Sequence, residues 1–159
     1  MDDGTENDNA IEEQIAALPI QWDKTGEMKV LMVTSRRTGR WVMPKGWIMN
    51  GKKPWQAAEI EALEEAGAIG AIGTTPLGTY RYRKYLAKGS SVAVRVVIYP
   101  MIVERLKKRW KERSDRKRKW FSIKGAAKRV NEPELRDLLL SLANRPRKVP
   151  AIKDLLKAS

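Results

Sequence analysis

The apolar positions of this chain fall into runs of two periods. Met28–Thr34, MKVLMVT, is almost continuously apolar, as expected of a strand covered on both faces. Leu18–Trp22 reads as a strand joined to it by a turn over Asp23–Glu27, and a turn at Thr38–Gly39 leads into a short strand, Trp41–Met43. Thr79–Tyr85 and Ser91–Glu104 predict a β-hairpin, the second arm carrying the alternation Val92, Val94, Val96 before a solid apolar stretch. Lys119–Ile123 reads as a last short strand.

Helical signals lie between and after these strands. Pro44–Lys53 is a loop holding Gly46 and Gly51; Pro54 then suits the first turn of a helix, where its missing N–H does no harm. That helix runs to about Ala66 and stops at Gly67, a residue type favoured just past a helix end. Lys124–Val130, Pro133–Ala143 and Val149–Ala158 read as further helices, and residues 1–16, polar and acidic, as a flexible tail with a short helical turn. Residues 17–159 then form a single α/β domain, with helices packed against a mixed sheet.

Composition narrows the chemistry. The 159 residues include no cysteine and no histidine. That removes thiol nucleophiles, Ser-His triads and His-based zinc sites, leaving carboxylates, lysine, tyrosine, hydroxyls or a hard metal ion. No apolar run is long enough for a membrane span, and the acidic N-terminus is unlike a secretory signal; a cytoplasmic location is the expectation. A net charge of +13, from 32 Lys+Arg against 19 Asp+Glu, favours a polyanionic partner.

The sharpest local feature is Glu61, Glu64 and Glu65 in AAEIEALEEAG. Spacings of three and four residues set the three carboxylates on one side of a helix. Uncompensated, such pairs repel by about 0.2–0.5 kcal/mol each, whereas Mg²⁺, with Mn²⁺ as the alternative, would make the cluster favourable. A solvated acidic face is the competing reading of the spacing alone. Ala58, Ala62 and Ala66 form a small-residue stripe that lets the helix approach the sheet closely.

With its preceding loop, this helix forms the segment GWIMNGKKPWQAAEIEALEEAGA, which resembles the Nudix box. Gly46, Glu61, Ala62, Glu64, Glu65, Gly67 and Ala68 match that pattern at the right spacing, while Lys52 stands in place of a Glu and Ile60 in place of an Arg. One acid and one base are thus lost together, and apolar packing of Ile60 is the expected substitute for their mutual support. The flanks SRRTGRWVMPKGW and KRKWFSIKGAAKRV look like the diphosphoinositol-polyphosphate and diadenosine-polyphosphate hydrolase branch.

The resemblance implies an α/β/α sandwich with a loop-helix-loop catalytic motif, and hydrolysis of a diphosphate linkage in a nucleoside or inositol polyphosphate. It implies metal coordination by Glu61, Glu65 and the carbonyl of Gly46, with Glu64 as the base and Glu61 as runner-up. Arg36, Arg37, Arg40 and Lys45, just upstream of the box, are expected to bind substrate phosphates, as are Arg116 and Arg118, which match the branch's basic strand. Arg81, Arg83 and Lys84 in YRYRKY read as an opposite wall or as an ordinary amphipathic strand. The basic run 105–119 reads as a phosphate contact, a solvated loop or, with Trp110, an RNA contact. A phosphorylated small molecule is the expected partner, RNA the less favoured one and a membrane none; oligomeric state is not legible. The competing function is a weakened Nudix scaffold that binds a nucleotide or RNA without rapid turnover.

Overall fold

The computed structural model describes residues 10–158. An eight-stranded mixed sheet organises them: β1 (Ile11–Trp22), β2 (Met28–Thr34), β3 (Trp41–Val42), β4 (Lys45–Trp47), β5 (Ala68–Ile72), β6 (Gly78–Tyr85), β7 (Ser91–Leu106) and β8 (Arg118–Ser122). Four α-helices complete it: α1 (Pro54–Ala66), α2 (Ile123–Arg129), α3 (Pro133–Ala143) and α4 (Pro150–Ala158).

The long strand β1 is the hub. It runs parallel to β7 from Ile11↔Ala93 to Ile20↔Ile102. On its other edge it pairs antiparallel with β2 at Ile20–Trp22 and with β4 at Gln14–Ala16. β3 and β8 pair with β2, and β5 and β6 with β7.

Strand alternation divides the core into two layers, because successive side chains leave opposite faces. Ile15 and Ala17 of β1, Leu31 and Val33 of β2, and Tyr99, Met101 and Val103 of β7 meet the alanines of α1. Ala16, Leu18 and Ile20, Val30 and Met32, and Val94, Val96 and Ile98 meet α2, α3 and α4 on the opposite face. The architecture is an α/β/α sandwich. The continuous apolar run at Met28–Thr34 reflects this double burial.

Two expectations are corrected, and one strand is added to those expected. Residues 11–16, assigned to the acidic tail, are the first half of β1: Gln14 to Ala16 are the positions that pair with β4. The alternation they share with β7 is short and diluted by Glu12, Glu13 and Gln14, and only a partner on each edge makes them a strand. Residues 1–9 of the tail lie outside the described residues. Lys45–Trp47, read as loop, is a strand; so is Ala68–Ile72, whose weakly patterned AIGAI gains its form from β7.

The alanine stripe sets how close α1 lies. Ala58, Ala62 and Ala66 are fully buried, so added volume has nowhere to go. Ala62→Leu is expected to lower stability by about 1–3 kcal/mol through overpacking. Denaturant unfolding checks this, and an unchanged midpoint would contradict the close helix–sheet contact.

Candidate active site

Helix α1 begins behind Pro54, with the Lys53 N–H donating to Gln56 Oε1 at 2.8 Å. It ends at Gly67, whose φ of 65° is a left-handed conformation suited to glycine and whose N–H donates to the Leu63 carbonyl. The last-turn carbonyls, which have no partner within a helix, are taken by the basic segment between β7 and β8. The Glu64 carbonyl accepts from the Glu112 N–H at 3.0 Å, and that of Glu65 from Trp110 Nε1 at 3.0 Å. Ala66 accepts from Arg118 Nη1 at 2.8 Å, and Gly67 from the Lys107 N–H at 2.8 Å. Arg118 also stacks over the Trp110 ring, 3.8 Å from its centroid.

Of the three glutamates, the structure brings two together. Glu61 and Glu65 are 9% and 5% exposed and border a cleft of about 390 Å³. Four residues turn the helix by about 400°, so the two nearly eclipse, whereas Glu64 lies about 100° around from Glu65. Glu64 accordingly faces sideways, and its carboxylate meets Lys111 Nζ at 3.6 Å. Among the described residues no group of three acidic side chains is placed to hold an ion; the convergence is a pair.

Opposite the pair stands Gly46 on β4. A Cβ there would lie 2.0 Å from Glu61 Oε2 and 2.6 Å from its Cδ. Any other residue would evict the carboxylate. The neighbouring Lys45 N–H donates to Glu65 Oε1 at 3.3 Å. Burial pushes the Glu65 carboxyl up to about 8, and burial likewise raises that of Glu61, aided by repulsion from nearby carboxylates. The Lys45 ammonium, 5.8 Å from the centre of the Tyr82 ring, is held down to about 8 by burial.

The expected cations separate into groups. Arg36 and Arg37 border the cleft; Arg36 makes a long 3.9 Å ion pair with Asp115, and Arg37 donates to the Tyr85 carbonyl. Lys45 and Arg37 also border an adjoining basin of about 570 Å³, with Arg40, Arg81, Arg83 and Lys84. Arg40 is anchored by Glu132 at 2.9 Å, while its Nη1 is buried without a hydrogen-bond partner. Arg118 borders neither space, its guanidinium being spent on the end of α1. Arg116 reaches the cleft but is 10% exposed and locked among protein groups. The tyrosines of β6 are not all available for stacking: Tyr80 is buried and Tyr82 donates to Gln14 Oε1 at 2.7 Å.

Lys52 is exposed in a turn closed by its N–H to the Met49 carbonyl, and Ile60 is half-buried. The Gln56 bond to Lys53 is local to the first turn of α1 and involves neither Lys52 nor Ile60. Sequence reasoning did not single out Glu112, Trp47 or Gln56. Glu112 was legible as the i, i+4 partner of Arg116, though hidden within a basic run.

The family profile of the NUDIX domain matches residues 13–142, which contain every element of this site. The chain belongs to the Nudix family. It is 32% identical over 110 residues to Nudix hydrolase 12, mitochondrial, of Arabidopsis thaliana, covering 65% of this chain and 53% of that one. It is also 32% identical over 105 residues to human diphosphoinositol polyphosphate phosphohydrolase 3-alpha, covering 64% and 60%. The matched segments thus span little more than half of those relatives' lengths. Among solved structures, a C. elegans Ap4A hydrolase superposes with a TM-score of 0.58 at 21% identity, covering 84% of this chain and 96% of that one. At that identity the likeness is one of fold. No helix of the Nudix domain, among the described residues, is long and apolar enough to cross a membrane.

The raised carboxyls predict a pH dependence. A folded-state value above the ordinary 4.5 means stability is full below that value and falls as pH rises toward about 8. In EDTA, the melting temperature is expected to fall between pH 5 and 8. Mg²⁺ or Mn²⁺ should restore more of it at pH 8 than at pH 5. A metal effect equal at both pH values would contradict the assignment to this pair.

Proposed function

We propose that this chain is a divalent-metal-dependent hydrolase that cleaves a diphosphate linkage in a nucleoside or inositol polyphosphate. The observation that carries this reading is the buried pair Glu61 and Glu65 bordering a cleft that opens onto a cationic basin. Both features serve a phosphate chain: one end takes charge from cations, the other activates water.

Glu61 and Glu65, with the carbonyl of Gly46, are the oxygen donors for Mg²⁺ or Mn²⁺, which take hard oxygen ligands and leave room for water and phosphate. The close approach of Glu61 to Gly46 fits this use, since any side chain at position 46 would displace the carboxylate. When bound, the ion supplies neutralisation of the diphosphate and acidification of the attacking water. Among the three glutamates, we assign proton acceptance to Glu61, which faces the cleft, ahead of Glu64, which Lys111 engages at the helix flank. Arg37, Arg40 and Lys84 are the phosphate donors of the basin. Arg36 guards the cleft mouth.

The names of the human phosphohydrolase and the nematode Ap4A hydrolase support a polyphosphate substrate. A hollow of about 350 Å³ bordered by Glu12, Trp47, Leu86 and Val92 adjoins the cleft through Trp47, and supports a planar ring at one end of that substrate. The cytoplasmic location expected from the sequence stands within this proposal, beside plant relatives named as mitochondrial. A second reading, binding with slow turnover, is favoured by one observation: Lys52 and Ile60 replace the acid and base of the box.

The test is phosphate release from diadenosine polyphosphates, nucleoside diphosphate sugars and an inositol pyrophosphate, with Mg²⁺ or Mn²⁺ and with EDTA. Metal-dependent cleavage of one class is expected; binding without cleavage would select the second reading. Glu61→Gln should lower kcat by roughly 10²–10⁴-fold, the range of a lost general base, with ligand affinity kept. Glu64→Gln should lower it by less than about tenfold, a smaller loss than general-base removal gives. The reverse order would return the base to Glu64. Ile60→Arg alone should change kcat little; a strong rise would show that the lost pair is not compensated.

A further inference from the structure

Gln14 is a buried amide with no part in the chemistry of the carboxylate pair. It is 4% exposed, yet it borders the cleft from the strand β1. Tyr82 donates its hydroxyl to Gln14 Oε1 at 2.7 Å, which fixes the amide plane and turns Nε2 the other way. Among the described residues Nε2 takes no partner. A buried amide N–H without an acceptor is unfavourable, so this one marks a place where the acceptor comes from outside the chain.

Strand register gives its surroundings. Gln14 stands opposite Trp47, and Ala16 opposite Lys45, so these four side chains leave the same face of the sheet. Tyr82 joins that face through β7, Gln14 being level with Val96 and Tyr82 with Val94. Gly46, between Lys45 and Trp47, turns to the opposite face, where a Cβ would meet Glu61. The amide therefore lies across β4 from the carboxylate pair. Lys45, whose ammonium is 5.8 Å from the centre of the Tyr82 ring, brings a second donor to the same face. With Oε1 already accepting from Tyr82, Gln14 and Lys45 present N–H groups, a set that suits an anionic oxygen rather than a ring amine.

We propose that Gln14 is a substrate-binding residue whose Nε2 donates to a phosphoryl oxygen beside the cleaved linkage, with Tyr82 the positioning residue that holds the amide in this sense. The inference rests on the polyphosphate reading of the cleft and adds a neutral donor to it. A cation attracts any anion from a distance, whereas a fixed amide rewards only an oxygen placed along its N–H. Gln14 thus sets where the chain of phosphates lies, while the cations of the basin draw it in.

Binding of inorganic tripolyphosphate to the full chain in EDTA, followed by calorimetry, tests this without turnover. Gln14→Leu should weaken binding about tenfold, the loss expected for one hydrogen bond to a charged group. Gln14→Glu keeps an acceptor for Tyr82 but turns a carboxylate toward the phosphate, and should weaken it further. Tyr82→Phe should weaken binding several-fold on its own and not at all when added to Gln14→Leu, because its effect runs through the amide. Should Gln14→Leu not fold, Gln14→Met takes its place with the same loss expected. Unchanged tripolyphosphate affinity in the Gln14 variants would overturn the proposal, as would a Tyr82→Phe loss of equal size with and without Gln14. A wild type that binds no tripolyphosphate would sink the polyphosphate reading itself, a result distinct from binding that Gln14 does not affect.

Discussion

The burial of two carboxylates against a glycine is the constraint on which the rest of this molecule turns. Charged groups withdrawn from water cost several kcal/mol each unless partners compensate, and Glu61 and Glu65 are withdrawn together. Everything around them acts on that cost. Gly46 provides room, the Lys45 N–H and Arg116 provide compensating hydrogen-bond and charge contacts, and the alanine stripe brings α1 near enough to the sheet for the pair to meet β4. A helix further from the sheet would keep its glutamates in solvent, where they would be an ordinary acidic surface.

The basic segment between β7 and β8 is where charge and architecture part company. By composition it reads as a surface for polyanions. In the fold, Trp110, Glu112, Arg118 and Lys107 instead take the four carbonyls that end α1. Arg118 is the cation whose side chain reaches the end of α1, where positive charge is favourable to the helix dipole. Lys108 and Arg113, both exposed, take no part in this.

What was legible in the sequence follows the reach of local patterns. Helix α1, with Pro54 at one end and Gly67 at the other, and the hairpin of β6 and β7 were readable because their signals lie within the segments themselves. The doubly buried β2 was readable from its unbroken apolar run. β4, β5 and the first half of β1 were not, because their strand character comes from partners distant in sequence. In the site, the spacing was read as setting all three glutamates on one helix side, whereas Glu64 turns about 100° away from Glu65 and meets Lys111. Nor could a run of arginines reveal which one is exposed and which is enclosed: Arg36 and Arg116 look alike until Glu65 and Glu112 are placed beside the second.

The parallel pairing of β1 with β7 has a consequence for how the chain acquires this structure. Every pair of this ladder, from Ile11↔Ala93 to Ile20↔Ile102, joins residues far apart in the chain, and contacts so distant in sequence close slowly because a long loop must first be ordered. During synthesis, which adds about 5–20 residues per second, β2 emerges with its apolar run many seconds before β7 can cover the neighbouring strand. The segment that gives the finished protein its two-sided core is therefore left open to aggregation while the ribosome is still at work.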